Sequence, residues 1–207
     1  MRRAVDTWPL FLALALLISA INCIGLAVVN LRTESGAVAL ILLAVRCALP
    51  LFLVAFTASS VARLYWGRGP RWLLANRRYF GLAFAFGMAW HLSFVGYSFA
   101  RFDVHLNIRV LILDLIGLGF LVALTLTSFR GPARWIGPAN WRRLHKTGVY
   151  FIWLLATFIY FEFARGDRDF FDCAALGLLL AAWLLRVAAW LKSKLAHRGR
   201  PQSVITG

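Results

Sequence analysis

Residues 79–100 read "YFGLAFAFGMAWHLSFVGYSFA", with no lysine, arginine, aspartate or glutamate and a single histidine, His91. At about 1.5 Å of helical rise per residue, such a stretch spans roughly the 30 Å hydrocarbon core of a bilayer. Five further apolar runs accompany it, at approximately 8–30, 36–62, 110–129, 147–164 and 172–191. The connections between them are short, so neighbouring helices run antiparallel and pack as one bundle. The sequence therefore predicts an all-α integral membrane protein: a bundle of six transmembrane helices forming one domain over residues 1–207, with no linker and no internal repeat. The opening "MRRAVDTW" and "PLFLALALLISA" resemble the basic and apolar regions of a signal peptide. The apolar stretch continues through "INCIGLAVV", beyond a signal core, and reads as helix one.

Of the 207 residues 61% are hydrophobic, nine are tryptophan, and the formal charge is +15. Such a basic excess raises the question of nucleic acid. The arginines and lysines cluster at the ends of apolar runs, where they set orientation, and no soluble module is present to carry a nucleic-acid surface. Nucleic acid is excluded as a partner, and the lipid bilayer is expected. Cys23, Cys47 and Cys173 are scattered, without CxxC or metal-like spacing, and read as small apolar fillers.

Arg2 and Arg3, the segments 63–78 and 130–146, and the tail residues Lys192, Lys194, Arg198 and Arg200 fall on one side of the membrane. The opposite side holds Arg32, Arg101, Arg109, Arg165 and Arg168 beside Glu34, Asp103, Asp167, Asp169 and Asp172. The positive-inside rule places the first side, and with it both termini, in the cytoplasm. The two long basic connections, "RLYWGRGPRWLLANRR" and "RGPARWIGPANWRRLHK", combine tryptophan with arginine. They suit either interfacial anchoring or docking of a soluble electron donor.

Ionisable groups inside the spans call for partners. Arg46 lies about 25 Å from the cytoplasmic end of its helix, close to the outer boundary. It can pair with Asp114 of helix four or snorkel to outer headgroups. His91 lies about 20 Å up helix three, too short a side chain to snorkel. Two readings stand: a hydrogen bond to a neighbouring helix, or ligation of a metal or haem. His145 marks the cytoplasmic mouth of helix five, Glu162 its solvated outer end, and His105 and His197 read as loop and tail residues.

The string "NRRYFGLAFAFGMAWHLSFVGY" resembles the third helix of the ferric reductase-like transmembrane domain superfamily. It is most similar to the haem-binding membrane subunits of periplasmic methionine sulfoxide reductase systems. "VRCALPLFLVAFTASSVAR" resembles their second helix, and "IGPANWRRLHKTGVYFIWLLATFIYF" the entry to their fifth, with Trp141, Leu144, His145 and Tyr150 in matching places. The resemblance covers roughly residues 40–165. It implies haem b between helices three and five, His91 as an axial ligand at the outer level and His145 at the inner histidine position. It further implies a multi-pass protein of the bacterial inner membrane. Such a subunit carries electrons from a cytoplasmic flavin (FMN) reductase or a quinol to a periplasmic redox partner, as a haem-dependent transmembrane oxidoreductase subunit.

The chain departs from that pattern at one position. The family places a second histidine about thirteen residues past the inner one, where this chain has Thr157, Phe158, Ile159 and Tyr160, Ile159 being the equivalent. Tyr160 is close enough to stand in as ligand or hydrogen-bond partner, and Arg46 can neutralise a haem propionate. His91 and His145 differ too much in depth to share one iron. One haem or none is therefore expected. The alternative is a haem-free anchoring or assembly protein that retains the six-helix bundle. No nucleophile, acid–base pair or nucleotide motif accompanies these residues.

The expected orientation is testable with single cysteines in a background lacking the native three. Cysteine at Trp66 or Trp135 should resist a membrane-impermeant maleimide applied to intact cells, and labelling there would reverse the topology.

Overall fold

Each apolar run becomes a helix in the computed structural model, which describes residues 8–103, 108–166 and 169–198. The elements are α1 (Trp8–Val28), α2 (Glu34–Leu64), α3 (Arg68–Arg101), α4 (Ile108–Leu126), α5 (Arg130–Arg165) and α6 (Phe170–Arg198). Arg2, Arg3, His105, Asp167, Arg168 and Arg200 lie outside the described residues, as do the side chains of Arg109, His197 and Arg198. Among the described residues there is no strand. Five helices, all but α4, are long and apolar enough to cross a membrane; α4 contributes a shorter apolar helix over Leu111–Leu126.

Local signals set the helix ends. The Thr33 hydroxyl accepts from the Gly36 amide at 3.2 Å and donates to the Asn30 carbonyl, capping α2. The basic connections are helical, which the apolar runs alone did not indicate. Pro70 and Pro132 each sit in the first turn of their helix, where a missing amide hydrogen costs nothing. In α5 the helix bends at Gly137, whose φ of 77° lies in the left-handed region, just ahead of Pro138.

In the bundle α2 packs on α3 and α6, α6 on α5, α5 on α4, and α4 closes the ring on α3 through the thinnest seam. Helix α1 stands outside this ring, against α2 and α3. The interior is narrow and aromatic. Phe52 and Phe56 of α2 meet Phe84 of α3 and Trp153 of α5, and Leu179 of α6 is completely buried. The outside carries leucine and isoleucine, Leu16 at 70% exposure and Ile24 at 64%. Large apolar side chains so turned outward suit a hydrocarbon environment.

Close helix approach depends on small residues. A Cβ built on Gly87 would lie 2.9 Å from Ala48 Cβ, so α2 and α3 cross where both residues are small. Replacing Gly87 by leucine should separate that crossing and lower the melting temperature in detergent by many degrees. Gly96→Leu, on the same helix with nothing near its Cβ position, should leave it within a degree or two. Equal effects of the two substitutions would deny the crossing its role.

Candidate functional site

Helix geometry first decides which polar side chains meet. Four residues, 166–169, separate the fifth and sixth helices, and the sixth packs against the second. Arg46 of α2 therefore faces the start of α6: its Nη2 donates to Asp169 Oδ2 at 2.7 Å and to Asp172 Oδ1 at 3.2 Å. The Phe171 ring lies 5.1 Å from the guanidinium carbon. The pairing with Asp114 allowed by depth alone is not made, because α4 packs on α3 and α5 and shares no extensive contact with α2. Asp114 is exposed on α4 and lies near His91 instead. The Asp172 residue is 8% exposed, and Arg46 is its counter-charge.

His91 is half-buried on α3 and turned toward α2. Its Nδ1 lies 3.2 Å from the Ile41 carbonyl oxygen. A carbonyl only accepts, so Nδ1 carries the proton and Nε2 keeps its lone pair. The interhelical hydrogen bond is thus present, and it also leaves the imidazole in the tautomer that ligating histidines use.

His145 is differently engaged. The Thr127 hydroxyl gives its one hydrogen to the Ala123 carbonyl at 2.6 Å, so at the 3.0 Å contact with His145 Nε2 the imidazole nitrogen is the donor. Trp141 stacks on the same ring at 4.3 Å and donates its indole hydrogen to the Thr127 carbonyl at 2.9 Å. His145 and Trp141 together staple the end of α4 to α5. The partner of His145 Nε2 is a hydroxyl, and no electron pair remains on that nitrogen for a metal.

Tyr160 is 4% exposed and belongs to the cluster of Leu49, Phe52, Phe56, Ala175 and Leu179, on the side of α5 that meets α2 and α6. Among the described residues its hydroxyl has no hydrogen-bond partner. Phe84 of α3 packs against the same cluster, but α3 and α5 share no extensive contact. Ile159, about 100° around the helix from it, is half-buried and has no ligating atom.

For haem b, then, the residues fit one axial bond and not two. His91 offers a correctly prepared nitrogen, whereas His145, Tyr160 and Arg46 are held by other partners or face other helices. Among the described residues no three of His, Cys, Asp or Glu gather in a metal-binding group.

Arg186 of α6 escaped the sequence reading. Its Nη1 donates to the Phe56 carbonyl at 2.6 Å and its Nε to the Tyr150 hydroxyl at 3.1 Å, with its guanidinium carbon 4.3 Å from the Phe56 ring centroid. One side chain therefore ties α6 to both α2 and α5. The available signal was an arginine inside the run "AAWLLRVAAWL", five residues before its end.

These features define a multi-pass helical membrane protein with two internal arginine locks and one prepared histidine. No protein-family model matches the chain, and neither does any curated protein or solved structure.

The first lock is testable by thermal unfolding in detergent. Arg46→Gln should destabilise by about 1–3 kcal/mol, between an exposed and a buried ion pair, because it leaves Asp172 facing Asp169 without a cation. Asp169→Asn should cost less, and Asp114→Asn should cost nothing through Arg46. For the second lock, Arg186→Met should lose about 1–3 kcal/mol, the scale of hydrogen bonds to a charged donor. Lysine at the same position should restore little, since it lacks the planar fork.

Proposed function

We propose that this protein is a membrane electron-transfer subunit of the bacterial inner membrane, with six spans, both termini cytoplasmic, and haem b held by His91 between α3 and α5. The observation that carries this reading is the 3.2 Å contact between His91 Nδ1 and the Ile41 carbonyl, which orients the ring and leaves Nε2 available. When bound, haem supplies the one-electron chemistry that no side chain here provides. The chain's own part is to orient the imidazole, surround it with apolar helices that exclude water, and present a basic face to a soluble flavin reductase. A quinol donor is the alternative source of electrons, and a periplasmic redox protein the expected acceptor. Ile159 provides no lone pair, so His91 would be the one residue to hold the group.

A second reading is a haem-free anchoring or assembly protein with the same bundle. It is favoured by the commitment of His145 to Thr127 and by the apolar side chain at 159. In that case His91 serves to hold α3 on α2, with Asp114 as a neighbouring carboxylate.

Absorption spectroscopy of the purified protein separates the two. Under the first reading, dithionite-reduced protein shows a Soret band and binds carbon monoxide, because one axial position is weakly held. His91→Ala loses most of the haem while remaining folded; His145→Ala and Tyr160→Phe keep it. Ile159→His converts the spectrum toward a low-spin bis-histidine form that resists the gas. Wild-type protein that takes up no haem when supplied with it would leave only the second reading.

A further inference from the structure

An apolar groove of about 420 Å³ runs along the outside of the bundle between α1, α3 and α4. Its lining includes Phe11, Phe86, Ala89, Leu92 and Leu121. The one polar side chain in the lining, Thr125, gives its hydroxyl hydrogen to the Leu121 carbonyl and offers no free donor. Along α3 the groove extends from Leu82 to Leu92, about 15 Å, or half the ~30 Å hydrocarbon core. That is the depth of one leaflet.

At its basic end the groove finishes on a cation. Trp8 and Phe129 both line it and stack on each other at 6.4 Å. The guanidinium carbon of Arg78 lies 6.0 Å and 5.6 Å from their ring centroids, and 5.8 Å from that of Tyr79. The Arg78 Nε is buried without a hydrogen-bond partner among the described residues. Among the described residues no carboxylate lies within ion-pair distance of this side chain, and the segments 63–78 and 130–146 contain no aspartate or glutamate. The aromatic rings fix the cation at the headgroup level without neutralising it.

We propose that this groove binds an anionic phospholipid, with one acyl chain along α3 and the phosphate on Arg78. A slot one leaflet deep, apolar along its length and ending on an arginine with no carboxylate partner among the described residues, is complementary to that molecule at both ends. A zwitterionic lipid fits the slot but brings a second cation to a surface already rich in arginine. A second copy of the chain docking by two-fold symmetry presents the same positively charged feature to itself, so it supplies no counter-charge.

The test uses delipidated full-length protein in a mild detergent and native mass spectrometry. The probes are phosphatidylglycerol and phosphatidylcholine with identical acyl chains. Wild-type protein should retain phosphatidylglycerol roughly fivefold better, the preference expected of one arginine at an anionic surface. Arg78→Gln should reduce the ratio to about one. Ala89→Trp fills the groove from an exposed position, and should remove the retained lipid without changing the lipid-free melting temperature. Should Arg78→Gln fail to fold, Ala89→Trp alone decides. Equal retention of the two lipids by wild type, or an unchanged preference in Ala89→Trp, would overturn the proposal. So would a dimer that Ala89→Trp dissociates, which would assign the groove to self-association.

Discussion

In hydrocarbon a polar group without a partner is costly, and this protein's architecture follows from where its polar groups find partners. The backbone is satisfied within helices. Hydroxyl and amide side chains follow by bonding back one turn: Thr57 to Leu53, Thr157 to Trp153, Ser93 to Ala89 and Asn76 to Trp72. Such bonds cost no tertiary organisation and specify none. The arginines cannot be satisfied this way, since a guanidinium has more donors than one turn can accept. Arg186 and Arg46 reach across to other helices, and those reaches select which helices are neighbours. The ring order of α2, α6 and α5 is written in two guanidinium groups as much as in the aromatic core between them.

The spans were legible because length and composition suffice to recognise a helix destined for a bilayer. The exposed leucines of α1 leave little ambiguity on that point, whereas α4 shows only the shorter apolar helix Leu111–Leu126. Partner choice was less legible. Depth along a helix placed Asp114 near the level of Arg46, but depth is one coordinate, and the angular order of helices is the other. That order emerges from packing, as where Gly87 admits Ala48, and has no signature at the arginine itself. Arg186 was overlooked for a related reason. An arginine five residues from the end of a run has the chemistry of a snorkelling residue until Tyr150 and the Phe56 carbonyl are placed beside it.

The histidines divide in an instructive way. Both stood out as imidazoles at places where a resemblance assigned ligands, and the sequence treated them alike apart from depth. Their hydrogen bonds separate them. His91 donates from Nδ1 to a carbonyl, and His145 donates from Nε2 to a hydroxyl whose own hydrogen is already used. The distinction rests on the neighbour's proton inventory, a property of Thr127 and Ala123 eighteen residues or more from His145. No local pattern around His145 carries it.

Gly137 gives the segment 130–136 a direction of its own. The residue sits at φ 77° between that segment and the rest of α5, with Trp135 on the near side 89% exposed. A side chain at 137 would resist this backbone geometry, so the bearing of the short arm relative to the long helix is held by one residue with no Cβ. The arm behaves as an outrigger: its tryptophan and arginines reach the interfacial layer at an angle that the spanning helix alone could not give. A residue with a Cβ at 137 would favour a negative φ and turn the arm, with Trp135 on it, away from its present bearing.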